Sequence, residues 1–132
     1  MRDVFVDTGA FYAALNRKDL NHRAAAGFFE RALVEGWRLI TSNFVVAESH
    51  ALILARLGRA FAVSWLRCVP AAVIRVSRDD EQKSLRIIFA YHDKDFSYCD
   101  AASFALIERL HIRRAMSFDR HFRQYGKFDL LA

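Results

Sequence analysis

Short apolar runs suited to buried strands alternate along this sequence with longer stretches of helical periodicity. That alternation restricts the fold more than any other feature. The run VFV (residues 4–6) stops at Asp7, as a strand buried on both faces does. WRLIT (37–41), AVIRVS (72–77) and RRAMSF (113–118) are further strand signals, and FDLL (128–131) offers a last edge strand. Between them, TGAFYAALN predicts a helix opening at once, capped by Asp7 or Thr8. Residues 21–35 place Ala25, Phe28, Phe29, Ala32 and Leu33 on one stripe ending near Gly36. SNFVVAESHALILARLG predicts a long helix capped by Ser42 or Asn43, and residues 59–69 a further one before Pro70. A capping box of Ser77 and Asp80 opens a helix to about Tyr91. Residues 97–110 form another, and DRHFRQYG closes a short one at Gly126. Parallel strands need crossovers, and helices provide them. The sequence therefore predicts an α/β fold: a three-layer α/β/α sandwich around a mainly parallel sheet.

Composition limits the classes open to such a chain. Its 132 residues suit one domain, 1–132, with 54% apolar residues, twelve of them Phe, to fill a core. One Pro and five Gly exclude collagen, Pro-rich linkers and most disorder. Cys68 and Cys99 are widely spaced and read as small buried hydrophobes of a reducing compartment. Asp3 and Asp7 break up the N-terminal apolar stretch, so no signal peptide is expected. No uncharged run exceeds residues 39–47, which is too short to span a bilayer. A cytoplasmic protein without membrane contact is expected. Its net charge of +5 suits a polyanionic partner.

Four acids stand out against this background. Ligands of open parallel sheets gather at the carboxyl ends of the strands. Asp7 ends the first strand, Asp119 lies just past the strand carrying Ala115 and Met116, and Asp100 falls in the first turn of the helix opened by Ser97. Glu48 follows the apolar VVA, and burying a carboxylate there is costly without a partner. Each acid also has a structural reading: Asp7, Asp100 and Asp119 as helix caps, Glu48 as a surface residue of an amphipathic helix. Gathered in one cleft, however, four carboxylates repel one another and need a cation. Oxygen ligands suit Mg²⁺ or Mn²⁺, which can activate a water and stabilise charge on a scissile phosphate. One ion or two would fit this set.

At these residues the chain resembles the PIN-domain family, and especially the toxin ribonucleases of VapBC-type toxin–antitoxin modules. The resemblance spans VFVDTGAFYAAL, TSNFVVAES, FSYCDAASFAL and AMSFDRHFRQYG. In these blocks Asp7, Glu48, Asp100 and Asp119 match the family's four acids, and Ser117 matches a hydroxyl residue beside the site. The resemblance implies a PIN-like fold and a Mg²⁺- or Mn²⁺-dependent endoribonuclease with RNA as substrate. It also implies a homodimer and a small antitoxin lying across the active-site groove. Thr8, Asn43 and Ser117 are candidates for supporting the acids. Two other functions are compatible with the residues: a PIN-type nuclease of RNA maturation or DNA processing, and a non-catalytic nucleic-acid-binding or dimeric scaffold protein whose acids cap helices.

Further polar residues are candidates for handling RNA. Arg56, Arg59, Arg113, Arg114, Arg120 and Arg123 are candidate phosphate contacts, each with a solvated face as the alternative. His50, His92 and His121 invite an acid–base reading, although a metal-activated water needs no histidine. Asp93 and Asp95 read as a solvated loop. Phe11, Tyr12, Phe28, Phe29, Phe61 and Trp65 exceed what a small sheet face needs, which points to an interface for some of them. Setting the four acids aside leaves 11 Asp and Glu against 20 Lys and Arg. The expected molecule is an acidic metal site in a body carrying +9.

Overall fold

Strand β1 (Asp3–Val6) runs through the middle of the protein with Val4, Phe5 and Val6 fully buried. An apolar run with no polar residue to turn toward water ends up in such a place. In the computed structural model, which describes residues 2–131, β2 (Arg38–Ser42) and β4 (Arg114–Met116) flank it. β3 (Ala72–Ile74) extends the sheet beyond β2, and β5 (Asp129–Leu130) extends it beyond β4. The order is β3-β2-β1-β4-β5, with every pairing parallel. Phe5 stands opposite Ile40 and Ala115. One step past the ladder, the amide of Asp7 donates to the carbonyl of Met116 at 3.0 Å. Asp7 is thus the first residue beyond the sheet.

The connections account for the layers. Helices α1 (Thr8–Leu15) and α2 (His22–Glu35) carry the chain from β1 to β2. Helices α3 (Asn43–Leu57) and α4 (Arg59–Arg67) carry it to β3. Both steps go the same way across the sheet. Helices α5 (Arg78–Ala90) and α6 (Tyr98–Arg109) then return to β4 on the far side of β1, and α7 (Arg120–Tyr125) leads to β5. Right-handed crossovers place helices on opposite faces when the direction reverses. The aromatic rings agree with that division. Phe11, Phe28, Phe29, Trp37 and Trp65 form one cluster, and Phe5, Phe96, Phe104, Phe122, Tyr125 and Phe128 form another. The strand order reverses at β1, which opens a crevice at its carboxyl end beside β4.

Helix α6 is apolar around most of its circumference, and residues 100–107 are all buried. It is clamped to α5 by Arg109, which donates to both oxygens of Asp80 (2.9 and 3.0 Å), and by Lys83 on Glu108. Both helices open with the capping boxes legible in the sequence, Ser77–Asp80 and Ser97–Asp100. Ser42 caps α3 by accepting from the amide of Val45 at 3.1 Å. Gly36 and Gly126 end α2 and α7 with φ near +70°, where a side chain is strained.

Several expectations need correction. β3 stops at Ile74 rather than Ser77, because Ser77 is committed to capping α5. Leu33 is 85% exposed: the buried stripe of α2 is only Ala25, Phe28 and Ala32, and Leu33 lies 100° past it. Cys68 is exposed, and both cysteines are free. Of the aromatic residues assigned to an interface, Phe11, Tyr12, Phe28 and Trp65 are core, whereas Phe61 is exposed.

Phe104 packs on four rings at 4.3–6.0 Å. Phe104→Ala is expected to destabilise the fold by about 3–5 kcal/mol, and Leu33→Ser to stay within about 0.5 kcal/mol of wild type. Equilibrium urea unfolding measures both.

Candidate active site

Asp7 occupies the N-cap position of α1, yet its carboxylate makes no capping bond. Instead Oδ2 accepts a hydrogen bond from the Ser117 hydroxyl at 2.9 Å. Ser117 is buried one residue beyond β4, and its Oγ also accepts from the amide of Asp119 at 3.0 Å. One hydroxyl therefore joins the end of β1 to the end of β4. Asp119 caps α7, with Oδ1 accepting from the amide of His121 at 2.9 Å. Asp100 caps α6 through Oδ2, which accepts from the amide of Ser97 at 3.1 Å. The structural and functional readings of these two acids coexist, because each cap uses a single oxygen.

Glu48 departs from the expectation of a buried carboxylate. The buried stripe of α3 is Val45, Ser49 and Ile53, at i, i+4 and i+8, which leaves Glu48 exposed on the flank. There Oε1 accepts a 2.6 Å bond from the Thr8 hydroxyl. Glu48 forms the rim of the crevice and Asp7 its floor.

His121 completes the cluster. Its Nδ1 lies 2.8 Å from Asp119 Oδ1 and 3.3 Å from Asp100 Oδ2, and the donor atoms of these three residues all fall within 4.8 Å of one another. The nitrogen is buried and is aligned for a hydrogen bond with neither oxygen. The ring is perpendicular to that of Phe96, with centroids 5.8 Å apart. In the sequence His121 stands out no more than His50 or His92; its position two residues past Asp119, in the first turn of a helix, is the available signal.

The electrostatics show that the acids act as one group. Burial pushes the Asp7 carboxyl up to about 7, and the charges of Asp100 and Glu48 add to it, against the hydrogen bonds from the Thr8 amide and Ser117. Asp100 is also raised, first by burial and then by Asp119, with the Ser97 bonds and His121 opposing. The Cys99 thiol is held far above its ordinary range by burial and by the charges of Glu48, Asp7 and Asp100. Such a field is relieved by a cation. The donors are hard carboxylate oxygens plus one imidazole nitrogen, a set suited to Mg²⁺ or Mn²⁺, with the nitrogen favouring Mn²⁺. The residues present fit a divalent ion.

Other candidates lie elsewhere. The Asn43 amide oxygen is committed to the Val76 amide at 2.7 Å and tethers the chain ahead of α5. Arg113 and Arg114 sit at the amino end of β4, the opposite end from the acids; spacing along the strand placed them on two faces, and the strand direction puts them away from the site. Arg59 opens α4 and is exposed. Arg120 and Arg123 line a small cavity with Ser117 and Asp119. His50 is half-buried on α3; His92, Asp93 and Asp95 are exposed in a loop, with Asp93 paired to Lys94 at 3.3 Å. An apolar cavity of about 630 Å³ between Phe11, Phe29, Trp37 and Trp65 contains none of the acids.

Two outcomes follow from this geometry. Between its ordinary value and about 7, the native state keeps a proton on Asp7 that the unfolded chain gives up, so this group's contribution to stability falls as pH rises through that range. In EDTA, the Tm advantage of Asp7→Asn over wild type should therefore grow from pH 5.5 to pH 8; an advantage independent of pH would contradict the placement of this charge. Ser117→Ala removes the bond that orients Asp7. It should weaken Mn²⁺ binding about tenfold by calorimetry, with little loss of thermal stability.

Comparison with known proteins identifies relatives of the whole chain. The PIN-domain family model matches residues 4–128. The 23S rRNA-specific endonuclease VapC20 of Mycobacterium tuberculosis is 31% identical over 127 residues, covering 93% of this chain and 94% of that protein. A VapC ribonuclease of Archaeoglobus fulgidus is 27% identical over 121 residues, covering 89% and 77%. The crystal structure of M. tuberculosis VapC20, described as a Sarcin-Ricin loop cleaving toxin, superposes with a TM-score of 0.84 at 27% identity, covering 96% of this chain and 97% of that one. VapBC2 of Rickettsia felis shares the fold, with a TM-score of 0.73 at 13% identity and coverage of 97% and 96%. With a PIN-domain match over residues 4–128 and a VapC relative 31% identical along nearly its whole length, the chain belongs to the PIN-domain family, as a member of the VapC type.

Proposed function

We propose that this protein is a Mg²⁺- or Mn²⁺-dependent endoribonuclease, the toxin of a VapBC-type module, and that its substrate is a structured loop of 23S ribosomal RNA. The observation that carries the reading is the common field of Asp7, Glu48, Asp100 and Asp119 around one crevice. The 31% identity to an rRNA-specific endonuclease supports the choice of RNA. Solved VapBC toxin–antitoxin assemblies of the same fold support a small antitoxin partner. The family likeness also supports a homodimer. Among the described residues no helix is long and apolar enough to cross a membrane.

Asp7, Asp100 and Asp119 would hold the cation, with Glu48 at the rim and His121 beside them. When bound, the cation lowers the pKa of water and stabilises negative charge on a phosphate. The chain's own groups prepare that chemistry. Ser117 holds Asp7 with Oδ2 already engaged, and Thr8 does the same for Glu48, so the carboxylates are oriented before substrate arrives. Arg120 and Arg123 line a cavity with Ser117 and Asp119 and would provide positive charge for a phosphate oxygen. Asp7 must be ionised to ligate. At limiting cation, activity should therefore rise with pH through neutrality, and saturating cation should shift that rise to lower pH.

Purified protein should cleave ribosomal RNA at one loop when Mg²⁺ or Mn²⁺ is added, and not in EDTA. Asp7→Asn and Asp100→Asn should each lower the rate at least a hundredfold while the protein remains folded. Primer extension on total rRNA maps the cut. Cleavage that survives Asp7→Asn, or that proceeds in EDTA, would overturn the mechanism; cleavage of other RNAs alone would overturn the substrate.

A further inference from the structure

The carboxyl-terminal ends of α1 and α3 enclose a further cavity, of about 860 Å³, whose lining includes Asn16, Arg17, Lys18, His22, Arg56 and Phe61 and no acidic residue. Three unpaired cations converge there. Among the described residues Arg17, Lys18 and Arg56 have no carboxylate partner, and what sets them apart is that they line one cavity together. The nearest acid in sequence, Asp19, directs Oδ1 to the amide of Asn21 at 2.8 Å.

The cavity wall is held in place. The Arg56 guanidinium lies over the Tyr12 ring, 5.4 Å from its centroid, and the Tyr12 hydroxyl accepts from the Asn16 amide at 2.8 Å. Asn16 Oδ1 in turn accepts from the amide of Lys18 at 3.1 Å. His22 Nδ1 sits 2.8 Å from the carbonyl of Ala13; a carbonyl only accepts, so Nδ1 carries the proton. Phe61, 49% exposed at the edge, offers a ring face.

The same two helices border the acid site: Asp7 immediately precedes α1, and Glu48 lies on α3. At their amino ends they are joined by the Thr8–Glu48 bond, and further along by the Tyr12–Arg56 contact. From Glu48 to Arg56 is about 12 Å of helix at 1.5 Å per residue. A stacked strand advances about 3.4 Å per nucleotide, so the separation corresponds to three or four nucleotides.

We infer that this basic cavity is a subsite for the RNA backbone, gripping phosphates three to four nucleotides from the scissile bond while Phe61 takes a base face. Base stacking on an aromatic ring is tolerant of sequence, and cations fix the register of the strand. The inference rests on the ribonuclease reading, but it concerns binding rather than cleavage.

The test is the salt dependence of binding of a fluorescent 12-nucleotide single-stranded RNA to Asp7→Asn protein, with and without R17A/K18A/R56A. Removing three phosphate contacts should reduce the slope of log K against log salt by about 2. It should also weaken binding at least tenfold at 0.1 M salt, while R86A on α5 changes neither. With metal and wild-type Asp7, the triple variant should raise KM on long RNA with kcat within threefold. R17K/K18R/R56K, which keeps the charges, should restore the slope. A slope unchanged by the triple alanine variant, while wild type still cleaves RNA, overturns the subsite and leaves the nuclease reading standing. RNA binding that needs the three cations in a protein that cuts no RNA supports the subsite and overturns the nuclease reading.

Discussion

Mutual repulsion among carboxylates at the end of a parallel sheet is the constraint on which the rest of this structure depends. Asp7 must lie at the β1 terminus because β1 is central and buried, and Ser117 must follow β4 because only there can its hydroxyl reach Asp7. Asp100 reaches the same crevice through the capping box of α6. A fold that gathers these groups without a cation opposes its own stability. The raised Asp7 and Asp100 carboxyls express that opposition.

The surrounding architecture holds the acids against their repulsion. Helix α6, buried along residues 100–107, cannot swing away without opening the aromatic cluster around Phe104. The Arg109–Asp80 bridge and the Ser77 box fix α5 beside it. Against the opposing effect of burial, hydrogen bonds with Arg109 and Ser77, helped by the Arg109 charge, hold Asp80 below its ordinary value, so that bridge persists well into acid. Outside the crevice the sign of the surface changes. Arg120 and Arg123 on one side, and Arg17, Lys18 and Arg56 along α1 and α3, give a polyanion reason to approach an acidic centre.

Much of this was legible in the sequence, for reasons that are local. Strand runs, Ser–Asp capping boxes and terminal glycines act within four residues, so the element order was readable to within a few positions. The acids were legible because their placement at strand ends and first turns is itself a sequence property. The details that went astray depend on three-dimensional direction. Whether Leu33 is covered depends on how wide a stripe α2 needs, and whether Arg113 faces the site depends on which way β4 runs. Glu48 was expected to be buried because its neighbours are apolar, yet at 100° per residue it projects to one side of the Val45–Ser49–Ile53 stripe. His121 entered the cluster through helix geometry. Arg17 and Lys18 gained significance only when α3 brought Arg56 beside them.

In the proposed function the four acids hold a divalent cation, and Asp7 releases its proton to do so. Calorimetry of Mn²⁺ binding at pH 7 in two buffers of different ionisation enthalpy measures both at once. With Asp7 near 7, wild type should release about half a proton per ion bound, and Asp7→Asn should lose both the binding and the release. Binding without proton release, or binding of equal strength in Asp7→Asn, would contradict the account.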